Sequence, residues 1–184
     1  SSMIKINMGC GWRNFGNDWI HIDGGDYEHL NHNNICELPY ENNTVDLIYA
    51  SHVIEYFDRN EVEVLLKEWK RVLKNKGVLR IAVPNFAVLS DLYKSGILKL
   101  EGLLGPLYGK MNMAENSIYH KTVYDFDSLK NVLNKCGFKN VDFYDWKHTC
   151  HSEHDDHSQA YIPHMDKENG ILISLNVECV KDEF

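Results

Sequence analysis

Two short segments near the start of the chain decide the fold: IKINMGCG (residues 4–11) and WIHID (residues 19–23). In the first, an apolar run enters a Gly-x-Gly turn, and in the second an apolar run ends on one acid, Asp23. Glycines let a backbone pass close to a ligand, and an acid at the end of the next strand can bind two ribose hydroxyls. The pattern predicts two neighbouring strands whose ends form a site for a nucleoside cofactor.

Beyond these segments the chain alternates apolar runs with helical patterns. Apolar residues recur every three or four positions over 61–74 and 125–136, which predicts two helices. Further strands are predicted over 45–50, 78–83, 141–146 and 171–180. No helical pattern separates the last two strands, so they are expected to pair antiparallel. The chain therefore predicts an α/β fold, a Rossmann-like doubly wound and mostly parallel sheet with an antiparallel last strand.

The N-terminal half has fewer helices than such a sheet normally carries, because residues 24–36 show no helical pattern and the first two strands are closely spaced. We expect a single domain over residues 1–184, with an insertion at about 86–124 that serves as a lid or substrate element. One sheet face would then be bare, and a bare apolar face is an interaction surface. We expect the insertion, or a second subunit in a homodimer, to cover it.

Composition limits the partners of the chain. With 184 residues and a formal net charge of −8, the chain can bury a sizeable core and is too acidic to favour nucleic acid as substrate. No apolar run approaches the length of a membrane span, and no signal-peptide pattern is visible, so we expect no membrane partner. The five cysteines include no CxxC pair, which favours reduced thiols and a cytoplasmic location.

Five motifs in one order resemble the class I S-adenosylmethionine-dependent methyltransferases, in particular a compact, type 11-like subgroup. They are NMGCG (7–11), HID (21–23), NIxxLPY (34–40), VDLIYASHVIEY (45–56) and KGVLRIAVPN (76–85). The resemblance implies S-adenosylmethionine as cofactor. It implies that the cofactor is bound by Asn7, Gly9, Gly11, Asp23, Asn34, Ile35, Ser51 and His52. Of these, Asp23 would bind the ribose, Asn34 would accept from the adenine amino group, and His52 would flank the sulfonium.

A nicotinamide dinucleotide is the main alternative ligand for this turn. Its fingerprint needs a third glycine, where this chain has Asn14, and an acid about 20 residues further on. Here Asp23 follows closely after Gly11, which leaves little room for the helix that would seat a pyrophosphate. The glycines could also form a plain tight turn, and Asp23 could cap a helix.

Methyl transfer from a sulfonium needs alignment above all, and it needs a base only when the acceptor must lose a proton early. His52 and His120 are the candidate catalytic bases, with a structural histidine and a solvated loop as the respective alternatives. Glu55 and Tyr119 are candidate substrate contacts. A helix cap for Glu55 and a core position for Tyr119 are the alternatives.

Five of the ten histidines lie within residues 148–164, between the last two predicted strands. Histidines spaced by three can bind a metal on a helix, but no paired motif fixes a geometry here, so no metal ligand is assigned. A plain polar loop is the second interpretation. The third, which strand direction favours, is that this loop hangs over the cofactor and contacts substrate through His154, Asp156, His157, Gln159 and Tyr161.

A polar, hydrogen-bonding wall of this kind suits a hydroxylated acceptor. We predict methylation of a small polar molecule, foremost a hydroxyl of a saccharide or nucleotide sugar, by analogy with methyltransferases of surface-polysaccharide modification. Two alternatives stay open. The chain could be a non-catalytic methyltransferase-like binding or partner protein, or a metal-assisted O-methyltransferase that uses the late histidines.

Overall fold

The computed structural model describes residues 2–113 and 115–183. The strands in chain order are β1 Lys5–Met8, β2 Ile20–Ile22, β3 Val45–Ser51, β4 Leu73–Pro84, β5 Met111–Met113, β6 Asn116–Ile118, β7 Phe138–Phe143, β8 Tyr161–Ile162, β9 Ile171–Leu172 and β10 Ser174–Lys181. The α-helices described are α1 Glu61–Val72, α2 Phe86–Lys94, α3 Leu100–Tyr108 and α4 Phe126–Lys135.

Six of these strands form one central sheet in the order β2-β1-β3-β4-β10-β7. The first four run parallel, and β10 runs antiparallel to both of its neighbours. The predicted α/β class, with a mostly parallel sheet and an antiparallel last strand, is confirmed. Because β1 to β4 are parallel, their carboxyl ends lie along one edge, which is where ligands bind in such sheets.

The predicted elements are present, but their boundaries differ. The helix predicted over 61–74 ends at Val72, because Leu73 has an extended backbone and already pairs with Val45 as the first residue of β4. The strand predicted over 171–180 is divided into β9, which pairs with β8, and β10, which belongs to the central sheet. The strand predicted over 141–146 begins earlier, at Phe138.

One face of the sheet packs against helices. Every second strand residue on this face is apolar and buried, and α1 and α4 place their own apolar stripes against it. The largest fully buried side chain in this core is Trp69 of α1. Burial of this continuous apolar layer is the main source of stability for the sheet.

The opposite face is covered by residues 146–160, which we call the loop layer. It contains two short 3-10 helices, Trp146–His148 and His157–Gln159. Tyr49 of β3 donates to Asp156 Oδ2 at 2.6 Å, and its ring stacks on His151 with centroids 3.9 Å apart. The expectation that the insertion or a second subunit covers this face was wrong, because a later segment of the same chain does so through polar and aromatic contacts.

The insertion at 86–124 lies over the carboxyl ends of the parallel strands. The amide of Lys121 donates to Glu55 O at 2.8 Å, and Asn85 bridges to Tyr124 at the base of the insertion. Its β5–β6 hairpin reaches the loop that follows β2, since Met113 Cε would lie 2.9 Å from a Cβ built on Gly24. Within the described residues, no helix has the length and apolar character required to cross a bilayer.

Candidate active site

A cavity of about 1370 Å³ lies between the carboxyl ends of the parallel strands and the insertion. Seven of the eight residues predicted to bind a cofactor line it: Gly9, Gly11, Asp23, Asn34, Ile35, Ser51 and His52. Asn7 does not line it. It is opposite Tyr49 in the strand register, and it is buried on the sheet face that the loop layer covers.

The Gly-Cys-Gly turn is held in shape by Asp23. Its Oδ1 accepts from the amide of Gly11 at 3.0 Å, and its Oδ2 accepts from the amide of Gly25 at 2.8 Å. Gly9 and Gly11 have φ angles of 66° and 56°, the left-handed region that favours glycine. A Cβ on Gly9 would lie 2.5 Å from Val53 Cγ2. Because a carboxylate can accept about four hydrogen bonds, Asp23 keeps acceptor capacity for ligand hydroxyls.

Cys10 lies between the two glycines but is not an activated thiol. Burial, together with the nearby Asp23 carboxylate, raises the pKa of the Cys10 thiol to about 12. Since the thiolate is the nucleophilic form, Cys10 stays protonated and unreactive at neutral pH. Its position in the turn is a packing position.

The wall formed by residues 33–36 is fixed against α1. The indole of Trp69 donates to Ile35 O at 2.9 Å, which anchors the loop to a fully buried helix residue. Asn34 Oδ1 accepts from the amide of Cys36 at 2.9 Å, so this side chain closes a local turn. The Asn34 side chain still borders the cavity, and no residue that the structure describes accepts from its Nδ2, which can therefore donate to a ligand.

The end of β3 presents two polar residues to the cavity. Ser51 Oγ is buried and has no hydrogen-bond partner among the described residues. His52 has a φ of 57° in the left-handed region, which is strained for a side chain of this size. Its amide donates to Ala82 O at 2.7 Å, which holds this conformation in place. A buried hydroxyl without a partner beside a strained residue is typical of a ligand site.

The His52 ring is fixed by a chain of hydrogen bonds from the loop layer. Asn176 Nδ2 donates to Ser158 O at 2.9 Å, so Asn176 Oδ1 accepts from Ser174 Oγ at 2.8 Å. The Ser174 oxygen then accepts from His52 Nε2 at 3.0 Å. His52 Nδ1 faces Glu55 Oε2 at 3.3 Å. His52 Nε2 is thus committed as a donor to Ser174, whereas its Nδ1 is directed at the Glu55 carboxylate without a hydrogen bond.

Glu55 is the carboxylate at the centre of this cluster. It is fully buried, and neither of its oxygens has a hydrogen-bond partner among the described residues. Its Oε2 also lies 3.8 Å from His120 Nε2. His120 Nδ1 lies 3.1 Å from Pro106 O, and it must donate because a carbonyl only accepts. In the tautomer that donates from Nδ1, His120 has its lone pair on Nε2, the nitrogen that faces Glu55.

Two further histidines show how burial controls charge near the site. His157 lines the cavity, and burial and the neighbouring His52 lower its pKa. His21, behind the Gly-Cys-Gly turn, accepts from the amide of Phe15 at 2.8 Å, and burial lowers its pKa as well. Both rings are therefore held neutral, His157 as a cavity wall and His21 as a support for the turn.

Four of the predicted substrate contacts, placed by the sequence over the cofactor, pack in or beside the loop layer instead: His154, Asp156, Gln159 and Tyr161. None of them lines the cavity. His154 stacks on Phe15 with centroids 4.2 Å apart, and Gln159 Nε2 donates to Ser152 O at 3.0 Å. The predicted placement was wrong for these four. Asp156 bonds to Tyr49 of the sheet, and the polar groups of Gln159 and Tyr161 bond to residues of the loop layer. Tyr119 is exposed and lies beside the lining without being part of it.

The late histidines do not converge. His148 pairs with Asp145 at 3.6 Å, whereas His151 packs on the sheet and His157 faces the cavity. Over residues 2–113 and 115–183, no group of three or more His, Cys, Asp or Glu side chains is arranged to hold a metal ion. The spacing by three does not place these rings on one helix face, since the segment is not an α-helix.

Several residues that shape the site were not predicted. Ser174 fixes the His52 ring, Val53 packs on Gly9, and Pro106 orients His120. One signal was present for Ser174, because Ser174 and Asn176 are alternate polar residues, and the residue that follows each of them in the strand is apolar. Two polar groups on one face of a buried strand indicate a hydrogen-bonded function. Pro106 and Val53 carry no comparable signal.

The family model described as a methyltransferase domain matches residues 18–81. The chain is 32% identical over 119 residues to the ubiquinone/menaquinone biosynthesis C-methyltransferase of Blochmanniella pennsylvanica, a match that covers 58% of this chain and 43% of the relative. It is 30% identical over 121 residues to the demethylmenaquinone methyltransferase of Staphylococcus haemolyticus, covering 61% and 48%. The chain thus spans less than half the length of these curated relatives.

The fold is also similar to solved structures. A S-adenosylmethionine-dependent methyltransferase from Archaeoglobus fulgidus aligns with a TM-score of 0.58 at 16% identity, covering 97% of this chain and 86% of that chain. At this identity the likeness concerns the fold alone. It agrees with the mostly parallel central sheet.

Proposed function

We propose that this chain, which belongs to the class I S-adenosylmethionine-dependent methyltransferases, transfers a methyl group from S-adenosylmethionine to a small-molecule acceptor. One observation carries the proposal. The cavity is lined by the glycine turn that Asp23 holds, by His120 and by Ser51, whose hydroxyl has no hydrogen-bond partner in the described part of the chain. A turn for a nucleoside and a neutral imidazole backed by a buried carboxylate form a complete site for methyl transfer to a protic acceptor.

The residues present fit S-adenosylmethionine. The positive φ of Gly11, with open space where its Cβ would be, lets a ligand approach the backbone. Asp23 has acceptor capacity for the ribose hydroxyls, and Ser51 Oγ is a buried group that needs a partner. The apolar side chain of Ile35 and the amide of Asn34 border the same cavity, where they would contact the adenine.

When bound in this cavity, S-adenosylmethionine would supply an activated methyl group to the acceptor and would leave as S-adenosylhomocysteine. His120 Nε2 takes the acceptor proton, because its Nδ1 is committed to Pro106 O. The Glu55 carboxylate, 3.8 Å away and fully buried, stabilises the resulting imidazolium. His52 is a positioning residue in this scheme, because its Nε2 donates to Ser174 and its Nδ1 lies closer to Glu55 Oε2, at 3.3 Å, than His120 Nε2 does.

A hydroxyl of a saccharide or nucleotide sugar is the acceptor we favour. The polar wall first inferred from the loop layer is not at the cavity, but other polar groups are. Hydrogen-bonding side chains border it from four segments: Arg13, Asn33, Asn112 and His157. Such a ring of donors and acceptors suits a polyhydroxyl compound, and a hydroxyl is the acceptor that most needs the His120 base.

A ring carbon of an aromatic acceptor is the second candidate. Met111, Met113 and Ile118 of the insertion, with Tyr56 and Phe57, make part of the lining apolar. Both curated relatives are named as methyltransferases of quinone biosynthesis. An acceptor with a flat apolar ring would pack against these side chains, and His120 would then remove the proton from the ring hydroxyl or carbon.

The first experiment is calorimetric titration of S-adenosylhomocysteine into the protein and into two variants. Asp23→Asn halves the acceptor capacity at the ribose position. We expect the affinity for S-adenosylhomocysteine to fall at least about tenfold, because one hydrogen bond to a charged group is lost. Asp18→Asn, an exposed acid before β2, is the matched control and should bind normally. No binding by the unchanged protein would overturn the enzyme assignment.

The acceptor is then identified from turnover. Nucleotide sugars, free sugars and short-chain quinols are offered in turn, with formation of S-adenosylhomocysteine as the readout. Turnover with a sugar supports the favoured acceptor class, and turnover with a quinol supports the second. Tight cofactor binding without turnover on either panel would instead favour a non-catalytic binding protein.

A further inference from the structure

The insertion exposes an apolar surface that neither the core nor the cavity uses. On α3 only Leu103 is buried. We call the exposed set the apolar ridge, and its members are between 46% and 58% exposed: Tyr93, Ile97, Leu100, Leu104 and Tyr108. Within α3 three of them recur every four residues, so they lie on successive turns of one face. A contiguous exposed apolar face of this kind marks an interaction site.

Lysines border the apolar ridge. Lys94, Lys99 and Lys110 are exposed, and none has an ion-pair partner among the described residues. Over the whole insertion, residues 86–124, four lysines outnumber three acids, whereas the whole chain has a net charge of −8. The insertion is therefore slightly basic and apolar on an acidic protein.

We propose that the apolar ridge docks on the surface of an anionic lipid bilayer. Short apolar faces flanked by lysines lie in the boundary between headgroups and acyl chains, with the ammonium groups on lipid phosphates. Tyr93 and Tyr108 at the two ends of the ridge are the amphipathic side chains that favour this boundary. The lack of a spanning helix, which led to the prediction of no membrane partner, concerns insertion across a bilayer and not binding to its surface.

The same surface is poorly suited to a second copy of the chain. In a two-fold contact both copies use the same surface, so three lysines of one copy would share the interface with three lysines of the other. Asp91 and Glu101 are the two acids within 91–110, so such an interface would have an excess of positive charge on both sides. An anionic bilayer is complementary to both parts of this surface. Its hydrocarbon can contact the leucines, and its phosphates can bind the lysines.

Docking in this orientation would bring the active-site cavity to the membrane surface. Gly105 and Pro106 line the cavity from the same helix that exposes Leu104 and Tyr108. The methyl acceptor would then be taken from a population held at the bilayer surface. The proposal does not depend on methyl transfer, since binding to lipid can be measured without cofactor or acceptor.

The experiment is co-flotation of the purified protein with vesicles. Vesicles of phosphatidylcholine alone are compared with vesicles containing phosphatidylglycerol, at low and high salt. The test variant is Leu100→Glu with Leu104→Glu. The matched control is Val64→Glu, which also places a carboxylate at an exposed apolar position, but on α1. Thermal unfolding and S-adenosylhomocysteine binding establish that each variant is folded.

We expect the unchanged protein and Val64→Glu to float with the anionic vesicles at low salt. The Leu100→Glu, Leu104→Glu double variant should stay in the unbound fraction. Replacing Lys94 and Lys99 by Gln should weaken binding about fivefold for each lysine. Failure of the unchanged protein to float with anionic vesicles overturns the proposal. So does a dimer in sedimentation equilibrium that the double variant abolishes, because the second copy would then occupy the ridge. Neither result bears on cofactor binding.

Discussion

At the scale of single residues, the two candidate bases differ in which ring nitrogen is free. His120→Asn keeps a donor for Pro106 O but removes the proton acceptor, so kcat should fall by about 10²- to 10⁴-fold on a hydroxyl acceptor. His52→Gln keeps a donor for Ser174 and should cost far less. The measurement is kcat at saturating cofactor, with S-adenosylhomocysteine affinity as the control. Full activity of the His120 variant beside an inactive His52 variant would assign the base to His52.

Replacing two buried tyrosines by phenylalanine is expected to change the free energy of unfolding differently. Tyr49→Phe removes the donor to Asp156 Oδ2 and leaves a buried carboxylate with one partner fewer, so the free energy of unfolding should fall by about 1–3 kcal/mol. Tyr124 Oη is buried without a hydrogen-bond partner among the described residues. Tyr124→Phe should therefore be neutral or stabilising. Urea denaturation measures both, and equal losses would mean that the Asp156 bond contributes nothing specific.

The residues of the site differ in how far the sequence predicts them. Gly9, Gly11 and Asp23 are predictable because the turn and the acid that holds it lie close together in the chain. The meeting of Glu55 with His120 is not, because it depends on the path that the insertion takes across the sheet. Residue type alone made Glu55 and His120 candidates. It does not show which nitrogen of the His120 ring is left as a proton acceptor.

At the scale of elements, α4 shows a boundary that is set locally. Asp125 accepts from the amide of Ser128 at 2.8 Å, and Ser128 Oγ accepts from the amide of Asp125 at 3.1 Å, a reciprocal capping box. Asp125→Ala should lower the free energy of unfolding by about 1 kcal/mol. Asp127→Ala, in the same first turn without a cap bond, should lower it less. Chemical denaturation of the two variants tests this, and a larger loss for Asp127 would contradict it.

Elements held by local pattern were predictable, and the loop layer was not. The apolar stripes of α1 and α4 repeat at helical spacing, so the sequence shows both the helices and their buried faces. The loop layer has no repeating pattern, and it is held by hydrogen bonds from side chains such as Tyr49 and Asn176 in distant strands. Its histidines resembled a binding loop because packed and ligand-binding histidines look alike in a sequence.

At the scale of the whole molecule, the loop layer and the active site are connected. The loop layer reaches the cavity through Ser158, Asn176 and Ser174, each bonded to the next, and the chain ends on the His52 ring. The loop layer, which covers the second sheet face in place of helices, thus also orients His52 in the site. A change that loosens the loop layer is expected to affect both stability and the geometry beside Glu55.

The acid sensitivity of the fold follows from the same layer. His151 is fully packed: its Nε2 accepts from Arg80 Nη1 at 3.1 Å, and its Nδ1 lies 3.2 Å from Thr149 Oγ1, so the neutral ring satisfies both contacts. Burial and the Arg80 guanidinium lower the pKa of His151 to about 3, even with Asp156 nearby. An unfolded histidine takes up its proton near pH 6.5.

Below that pH the unfolded chain binds a proton that the folded chain rejects, so stability is fully present above pH 6.5 and is lost as the pH falls towards 3. One such group costs about 1.4 kcal/mol per pH unit, or about 3 kcal/mol by pH 4.5. His151→Gln offers an acceptor to Arg80 and a donor to Thr149 without titrating, so its unfolding free energy should decline less steeply, by about one proton. Urea denaturation at neutral pH and near pH 4.5 measures the difference. Parallel declines in both proteins would place the acid-sensitive group elsewhere, with buried His157 and His21, whose pKa values are also lowered, as the next positions to substitute.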